Sequence, residues 1–277
     1  MTAPIRSRSI DGLALAYRSI GSGPPVLCIQ GVGVAGEGWR PQIAALAQRH
    51  RVLTFDNRGV GATPRGAGPL SIERMAADAA AILDAEGIDR CHVVGHSMGG
   101  LIALALALGA KPRVLTLSLL CTFADGAGPT RPTLRMIALG LPTRIGTRRS
   151  RRLAMQRLLF PDAYLRQVDR AALAEELNAL FGRDLGEAPA IVSEQLKVMG
   201  RYDATSRLST LAGVPTLVVS GRHDPIAPPA YGRAIAAGIP GARYVEFEDA
   251  SHALTIQQPD RVNTLLLQHL AMAGYQT

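Results

Sequence analysis

One short segment restricts the fold of this chain more than any other: Gly95-His96-Ser97-Met98-Gly99. An apolar run at residues 91–94 leads into it and an Ala/Leu-rich helical pattern follows, which predicts a strand-to-helix junction at Ser97. The flanking glycines permit a sharp turn that a Cβ would obstruct, so the serine hydroxyl stands above the end of the sheet. The first helical amides, including that of Met98, can then stabilise an oxygen that gains negative charge. The pattern indicates a serine nucleophile, and a Gly/Ser turn that only caps a helix is the competing interpretation.

A serine hydroxyl becomes a strong nucleophile only beside a base that a carboxylate orients, and two later segments provide candidates. Residues 214–220 predict a buried strand that ends shortly before Asp224. Residues 242–248 predict the next strand, and the loop after it contains His252. Because catalytic groups of open α/β sheets gather at the carboxyl ends of the strands, we expect Ser97, Asp224 and His252 at one rim. Taken singly, each has a simpler interpretation: a helix N-cap for Asp224 and a structural loop histidine for His252.

The chain order of these residues, serine then aspartate then histidine, resembles that of the α/β-hydrolase family. The resemblance covers nearly the whole chain. It rests on the elbow at residues 95–99, on Phe55-Asp56-Asn57-Arg58-Gly59-Val60-Gly61, on residues 221–225 and on Ser251-His252. The resemblance implies a nucleophile at Ser97, an acid at Asp224 and a base at His252.

Other residues compete for the acid and base roles. Some members of the family place the carboxylate after an earlier strand, so Asp125, which follows the predicted strand at residues 114–120, is the rival acid. Of the remaining histidines, only His96 and His223 are expected near the rim. His96 adjoins Ser97 at a sharp turn, which directs its side chain away from the hydroxyl, so we expect a packing or hydrogen-bonding role for it.

A second donor for the negatively charged oxygen is expected in the loop after the predicted strand at residues 26–30. There Gln30-Gly31-Val32-Gly33 resembles the family's His-Gly-x-Gly, with Gln30 where histidine is usual. The resemblance implies the backbone amide of Val32 as the donor that acts with that of Met98, and the missing histidine alters the hydrogen bonding that holds this loop. A glycine-rich phosphate cradle is the alternative, but neither G-x-G-x-x-G opening a helix nor G-K-[ST] occurs here. We also assign Gly31 and Trp39 to substrate binding.

Predicted strands and helices alternate up to residue 121, which favours an α/β fold with a mostly parallel central sheet flanked by helices. Between residues 122 and 208 only helix-like periodicity remains, punctuated by prolines. We therefore predict an α/β-hydrolase core domain formed by residues 1–121 and 209–277, with a helical cap inserted at residues 122–208. Eight apolar cap residues are expected to cover a pocket or, for most of them, to pack between helices: Leu134, Ile137, Leu141, Leu153, Met155, Leu158, Leu159 and Phe160.

The net charge of +8 comes almost wholly from arginine, and eight arginines between residues 131 and 157 have no acidic residue among them. Attraction of an anionic substrate, of a membrane surface or of nucleic acid would each explain this stretch. Aromatic residues are scarce there and no nucleic-acid fold accompanies it, so a solvated cap surface is the default interpretation. We predict a small-molecule substrate, no nucleic-acid partner and no membrane partner, and we leave the oligomeric state open.

No apolar run approaches the length that spans a bilayer, and the first residues lack the apolar core of a signal peptide, so we predict a cytoplasmic location. Three cysteines, without C-x-x-C or His/Cys spacing, give no indication of a metal site. Neither a cofactor nor a metal is predicted.

The predicted function is that of a serine hydrolase that cleaves a carboxylic ester, lactone or thioester of a small, largely apolar substrate through an acyl-enzyme. Three alternatives stay open: hydrolysis of a C–C bond, perhydrolysis of the haloperoxidase kind, and a small-molecule receptor with vestigial hydrolysis. Steady turnover separates the enzymes from the receptor.

Overall fold

Eight strands form a single sheet in the computed structural model, which describes residues 4–10, 12–131 and 133–273. They are β1 (Arg6–Ile10), β2 (Leu13–Ile20), β3 (Pro25–Ile29), β4 (Arg51–Phe55), β5 (Cys91–His96), β6 (Val114–Leu120), β7 (Thr216–Gly221) and β8 (Arg243–Phe247). Their spatial order is β1-β2-β4-β3-β5-β6-β7-β8. β2 pairs antiparallel with both β1 and β4, and the other pairs are parallel, which confirms the predicted fold class. The terminal residues 1–3 and 274–277 of the predicted core domain lie outside the described residues.

The inner strands are continuous apolar runs because helices cover both faces of the sheet. Every residue of β3, β5, β6 and β7 is buried. One face packs against α2 (Ile72–Ala85), α3 (Met98–Gly109) and α10 (Pro229–Gly238), and the other against α1 (Arg40–Leu46) and α12 (Pro259–Leu270). The short helix α11 (Leu254–Gln257) lies between β8 and α12. The parallel strands all run toward the same edge, so the loops that follow them meet there.

Helix α2 illustrates how the local sequence sets these elements. Ser71 caps its first turn by accepting a hydrogen bond from the amide of Arg74, at 3.1 Å. Ile72, Met75, Ala79 and Ile82 are fully buried on one face of the helix, at the spacing that the sequence predicts. Asp78, also buried in α2, binds the guanidinium of Arg58 through two hydrogen bonds of 2.5 and 2.7 Å.

Between β6 and β7 the described residues form helices rather than sheet strands. These are α4 (Ala127–Thr130), α5 (Leu134–Gly140), α6 (Arg148–Leu159), α7 (Asp162–Leu165), α8 (Arg170–Phe181) and α9 (Ala190–Met199). We call them the helical insertion. Its own apolar cluster includes Phe160 and Leu177 and reaches Ala253 in the loop after β8. The amide of Ala253 also donates to the carbonyl of Leu159, at 3.0 Å, so the insertion is joined to the loop that carries His252.

No described helix has both the length and the apolar character that a membrane span requires.

Candidate active site

Ser97 lies at the turn between β5 and α3 with a backbone φ of 57°. Such a conformation is strained for a residue with a Cβ and is concentrated at functional sites. The neighbouring glycines are required by close packing: a Cβ on Gly99 would lie 2.1 Å from the carbonyl oxygen of Ile29, and one on Gly95 would lie 2.3 Å from that of Gly99. The strand, the turn and the helix are therefore locked together around the serine.

Three side chains predicted from distant parts of the sequence meet at the rim of the sheet. The Ser97 Oγ lies 3.0 Å from Nε2 of His252, and Nδ1 of His252 lies 2.7 Å from Oδ2 of Asp224. All three residues are buried. Nδ1–H of the imidazole donates to the carboxylate, which leaves Nε2 free to accept the proton of the serine hydroxyl. This arrangement can deprotonate the hydroxyl and stabilise the imidazolium that results.

The local chain also keeps Asp224 ionised. Burial alone would raise the pKa of this carboxyl, but His252 and the amides of Ile226 and Ala227 outweigh it, and the pKa lies below its ordinary value. Both amides donate to Oδ1 at 2.8 Å, so the aspartate caps the following turn with one oxygen and binds the histidine with the other. Asp224 is therefore not the N-cap of α10, which begins after Pro228, but it caps the turn before that helix with one of its two oxygens.

The rival residues have other partners. Asp125 Oδ1 accepts a hydrogen bond of 2.8 Å from the amide of Ala127 at the start of the insertion. His96 Nε2–H donates to the carbonyl of His252 at 2.8 Å, and its ring packs edge-on against Trp39. His96 thus holds the backbone of the His252 loop, which is the hydrogen-bonding role that its position in the sequence predicts.

Residues 31–35 lie beside the serine, and we call them the oxyanion loop after the role that the sequence predicts for Val32. A Cβ on Gly31 would lie 2.9 Å from the Ser97 Cβ and 3.3 Å from its Oγ, so the chain must carry glycine here. Val32 follows, and Met98 supplies one of the α3 amides that have no partner within the helix. The oxyanion loop and the first turn of α3 therefore both lie beside the Ser97 side chain.

Asp56, Asn57 and Arg58, which contribute to the family resemblance, make contacts behind this loop. Asp56 Oδ1 accepts from the amide of Gly36 at 2.7 Å, and Asn57 Nδ2 donates to the carbonyl of Gln30 at 3.0 Å. Arg58 binds Asp78 in α2. Three consecutive side chains after β4 therefore bind the residues on either side of the loop and helix α2.

A cavity of about 510 Å³ opens over the serine. Ser97, His252, Gly31 and Val32 line it, together with apolar side chains of the insertion. Five of the eight cap residues predicted to cover a pocket or pack between helices do line it: Ile137, Leu141, Met155, Leu158 and Leu159. Phe181, Val192 and Met199 also line it, and sequence reasoning missed them because the packing of the insertion helices decides which of their faces point inward.

The predicted substrate-binding role of Trp39 does not agree with its position. Its side chain is 0% exposed and belongs to the core cluster beneath the sheet, behind His96. It is not among the described residues that line the cavity. A large aromatic residue close to the elbow in sequence is here a core residue, because the turn Gly36–Trp39 directs it inward.

Known proteins share the fold of this chain. A family model for the α/β-hydrolase fold matches residues 24–259. The chain belongs to the α/β-hydrolase family. A protein of Azorhizobium caulinodans, provisionally named carbamate hydrolase RutD, is 34% identical over 256 residues, which cover 91% of this chain and 93% of that protein.

Solved structures of other hydrolases have the same fold as this hydrolase. The enol-lactonase from Burkholderia xenovorans LB400 is similar to it with a TM-score of 0.81 and 28% identity, over 96% of this chain and 100% of the other. A thermophilic esterase from Thermogutta terrifontis has a TM-score of 0.80 and 27% identity, over 98% and 99% of the two chains.

The arginine-rich stretch of the hydrolase divides into two kinds of residue. Arg148 and Arg152 form ion pairs with acidic residues later in the insertion: Asp184, Glu175 and Glu187. The hydrogen bond from Arg152 lowers the pKa of Asp184 to about 2. Arg131 and Arg144, by contrast, line the cavity. The positive charge is therefore partly neutralised within the insertion and partly presented to the cavity.

Three buried residues of the hydrolase place potential metal ligands close together. Donor atoms of His96, Cys121 and His252 lie within 4.8 Å of one another. His96 and His252 already make the hydrogen bonds described above, and the Cys121 thiol lies 3.8 Å from the carbonyl of Ser251. Burial raises the pKa of the Cys121 thiol well above its ordinary value. A metal ion here would replace the bonds that orient His252, so these groups serve the hydrogen-bonded site instead.

Buried histidines make the stability of the hydrolase depend on pH. Burial lowers the pKa of both His92 and His96 to about 4. Between the unfolded value of about 6.5 and this folded value, the unfolded chain binds protons that the folded chain does not. Stability is therefore full above about pH 6.5 and is lost as the pH falls, by on the order of 3 kcal/mol for each histidine by pH 4.

Urea denaturation at pH 7.5 and pH 5.0 measures this effect. We expect a lower free energy of unfolding at pH 5.0, and a smaller difference in His92→Gln, which removes one titration far from Ser97. His92 contacts Thr116 in the sheet rather than the cavity. A free energy of unfolding that is equal at the two pH values would contradict the expectation.

Proposed function

We propose that this α/β hydrolase cleaves the carboxylic ester of a small, largely apolar substrate, and that Ser97, His252 and Asp224 act as nucleophile, base and acid. One observation carries the proposal: Oγ, the imidazole and the carboxylate form a hydrogen-bonded series of 3.0 and 2.7 Å at the floor of the 510 Å³ cavity. Residues 122–208 form the cap in this proposal, since helices of that segment supply much of the cavity wall.

The reaction begins when His252 Nε2 accepts the proton of the Ser97 hydroxyl as Oγ attacks the ester carbonyl. The carbonyl oxygen gains negative charge, and the amides of Val32 and Met98 donate to it. The imidazolium returns its proton to the leaving alkoxide, which departs as an alcohol and leaves an acyl-serine. A water molecule, deprotonated by His252, then attacks the acyl carbon. The imidazolium returns its proton to Ser97 Oγ as the bond to the acyl carbon breaks and the carboxylic acid is released. Asp224 orients the imidazole and stabilises its positive charge in both steps.

The cavity supports an apolar acyl or alkoxy group. Aliphatic and thioether side chains dominate the wall above the serine, including Leu158, Met155 and Ile256. Each methylene buried against such a wall contributes about 0.8 kcal/mol, which corresponds to a factor of about four in kcat/KM when the contact persists in the transition state.

A series of p-nitrophenyl esters tests this prediction. From acetate through butyrate to hexanoate, we expect kcat/KM to rise with each added methylene until the chain exceeds the cavity. The measurement is initial rate against concentration for each ester, with spontaneous hydrolysis subtracted. A kcat/KM that is constant or falls from acetate onward would show that the apolar wall does not bind the acyl chain.

Covalent labelling with a fluorophosphonate distinguishes an enzyme from a receptor. We expect one phosphonyl group per chain, on the peptide that contains Ser97, and repeated turnover of the ester by unlabelled protein. A single round of acylation without turnover would favour a receptor with vestigial hydrolysis.

A lactone is the second candidate substrate, because a cyclic ester uses the same steps and the Burkholderia xenovorans neighbour is an enol-lactonase. Lactones and carbamates therefore belong in the same screen, the latter because of the name of the Azorhizobium caulinodans relative. The bond that gives the highest kcat/KM identifies the substrate class.

A further inference from the structure

The helical insertion holds the oxyanion loop by three hydrogen bonds. Gln195 Oε1 in α9 accepts from the amide of Gly33 at 2.8 Å. Arg183 Nε donates to the carbonyl of the same glycine at 3.0 Å. The carbonyl of Phe181 accepts from the amide of Ala35 at 3.2 Å. Gly33 follows Val32, and its N–H and C=O groups are thus both hydrogen-bonded to side chains of the insertion.

The loop requires such support because of its composition. Gly31 and Gly33 lack side chains that restrict the backbone, and Gly33 has a φ of 63° that other residues rarely adopt. Gln30 stands where the resembling family has histidine, and within the described part of the chain its side-chain oxygen accepts only a 3.3 Å hydrogen bond from the amide of the adjacent Gly31. On this side of the loop the support therefore comes from the insertion.

The two supporting side chains are committed to the backbone. Gln195 is 0% exposed, and its Nε2 donates to the carbonyl of Arg58 at 3.4 Å. Arg183 donates to the carbonyls of Asp184 and Glu187 through Nη1 while Nε binds Gly33. Burial lowers the pKa of this guanidinium from its ordinary value. Neither residue forms a hydrogen bond with Ser97 or His252. Arg183 lines the cavity, whereas Gln195 is not among the described residues that do, so an effect of Gln195 on the reaction passes through the loop.

We propose that Gln195 and Arg183 are positioning residues, which hold the peptide after Val32 so that the Val32 amide faces the oxygen on which charge develops. This inference rests on the proposed function. It makes the oxyanion hole depend on the insertion: the second donor is in place only while α9 and the end of α8 lie against the loop. An oxyanion donor stabilises the transition state more than the bound substrate, so losing its positioning residues should lower kcat and leave KM largely unchanged.

The variant Gln195→Leu tests the role of the glutamine. Loss of a complete oxyanion donor costs about 10²- to 10³-fold in kcat, so a donor that is displaced but present is expected to lower kcat about 10- to 100-fold. The KM for p-nitrophenyl butyrate is expected to stay within about threefold of the wild-type value. The inhibition constant of a trifluoromethyl ketone, which Ser97 converts into a tetrahedral alkoxide, should rise by the same factor by which kcat falls.

The chain offers a matched control in Gln156→Leu. Gln156 is also 0% exposed in the insertion, and it makes two hydrogen bonds with Arg170, but it does not contact the oxyanion loop. Both leucine variants lose a buried amide, so a merely structural role predicts equal effects. Gln195→Glu keeps an oxygen acceptor for Gly33 and, because burial favours the protonated carboxyl, a donor for the carbonyl of Arg58, so this variant is expected to retain kcat within about fivefold of wild type.

A second measurement does not depend on turnover. Hydrogen exchange of a peptide that contains residues 31–35 is expected to be faster in Gln195→Leu and in Arg183→Met than in wild type, and unchanged in Gln156→Leu. Thermal unfolding of each variant shows whether the protein is folded at the assay temperature.

The results separate this inference from the proposed function. The positioning role is supported if kcat falls in Gln195→Leu and Arg183→Met but not in Gln156→Leu, and if hydrogen exchange of residues 31–35 is faster in the same two variants. If wild type is active and Gln195→Leu matches Gln156→Leu in kcat, inhibition and exchange, the positioning role is wrong. If wild type neither hydrolyses an ester nor accepts a fluorophosphonate at Ser97, the proposed function is wrong and the inference is lost with it.

Discussion

Ser97→Ala is expected to lower kcat for p-nitrophenyl butyrate by on the order of 10⁴- to 10⁶-fold, because the hydroxyl that His252 deprotonates is lost. The nearby Cys121 thiol does not replace it, since that thiol is fully buried and burial raises its pKa. Alanine retains the Cβ that packs against Gly31 and tolerates the φ of 57° as well as serine does, so the turn and the cavity should persist. The free energy of unfolding should therefore stay close to the wild-type value. Steady-state kinetics and urea denaturation of the same preparation measure the two quantities.

Ser118→Ala is the matched control for this variant. Ser118 is a buried serine of β6, and among the described residues its hydroxyl has no hydrogen-bond partner. Removing that hydroxyl is expected to leave both activity and fluorophosphonate labelling unchanged. If Ser97→Ala hydrolyses the ester at the wild-type rate, or if the label is found on another residue, Ser97 is not the nucleophile.

The sequence predicts much of the sheet because its strands are defined by local patterns. The strands predicted at residues 26–30, 91–94, 114–120, 214–220 and 242–248 match β3, β5, β6, β7 and β8 to within two residues at each end, and the elbow lies where the glycines predict it. Helix α10 has no predicted counterpart, since its alanine- and glycine-rich sequence begins at two prolines and shows little periodicity. Position along the chain is also sufficient to bring Ser97, Asp224 and His252 to one edge, because parallel strands end there.

Other features depend on contacts between distant segments and could not be predicted in this way. Gln195 lies 162 residues after Gly33, and nothing in the sequence around it distinguishes it from any other helical glutamine. Trp39 is close to the site along the chain but faces the core, because packing decides which side of a short turn is buried. The walls of the cavity depend likewise on how the insertion helices pack, which periodicity alone does not specify.

Arg58, which the sequence marks only through its family resemblance, forms a buried ion pair with Asp78. Its guanidinium and the Asp78 carboxylate are 3% and 4% exposed and form two parallel hydrogen bonds. Removing one charge of a buried pair leaves the other desolvated and unpaired. We therefore expect Asp78→Leu to lower the free energy of unfolding by about 3–5 kcal/mol, measured by urea denaturation at neutral pH.

The control pair lies at the surface. Arg222 and Glu248 also form an ion pair, but their side chains are 57% and 66% exposed. Water solvates each charge after its partner is lost, so Glu248→Leu is expected to change the free energy of unfolding by less than about 1 kcal/mol. A loss in Asp78→Leu no larger than that in Glu248→Leu would contradict the argument from burial.

A double variant, Arg58→Met with Asp78→Leu, separates the cost of an unpaired charge from the loss of the pair itself. If the single variant is unstable because Arg58 is left charged in the interior, replacing both residues by apolar side chains of similar length should restore most of the lost free energy. If instead the pair is needed to hold α2 against the loop that carries Asp56 and Asn57, the double variant should be as unstable as the single one. We expect restoration, because the sheet and α2 already share a continuous apolar core that methionine and leucine can join.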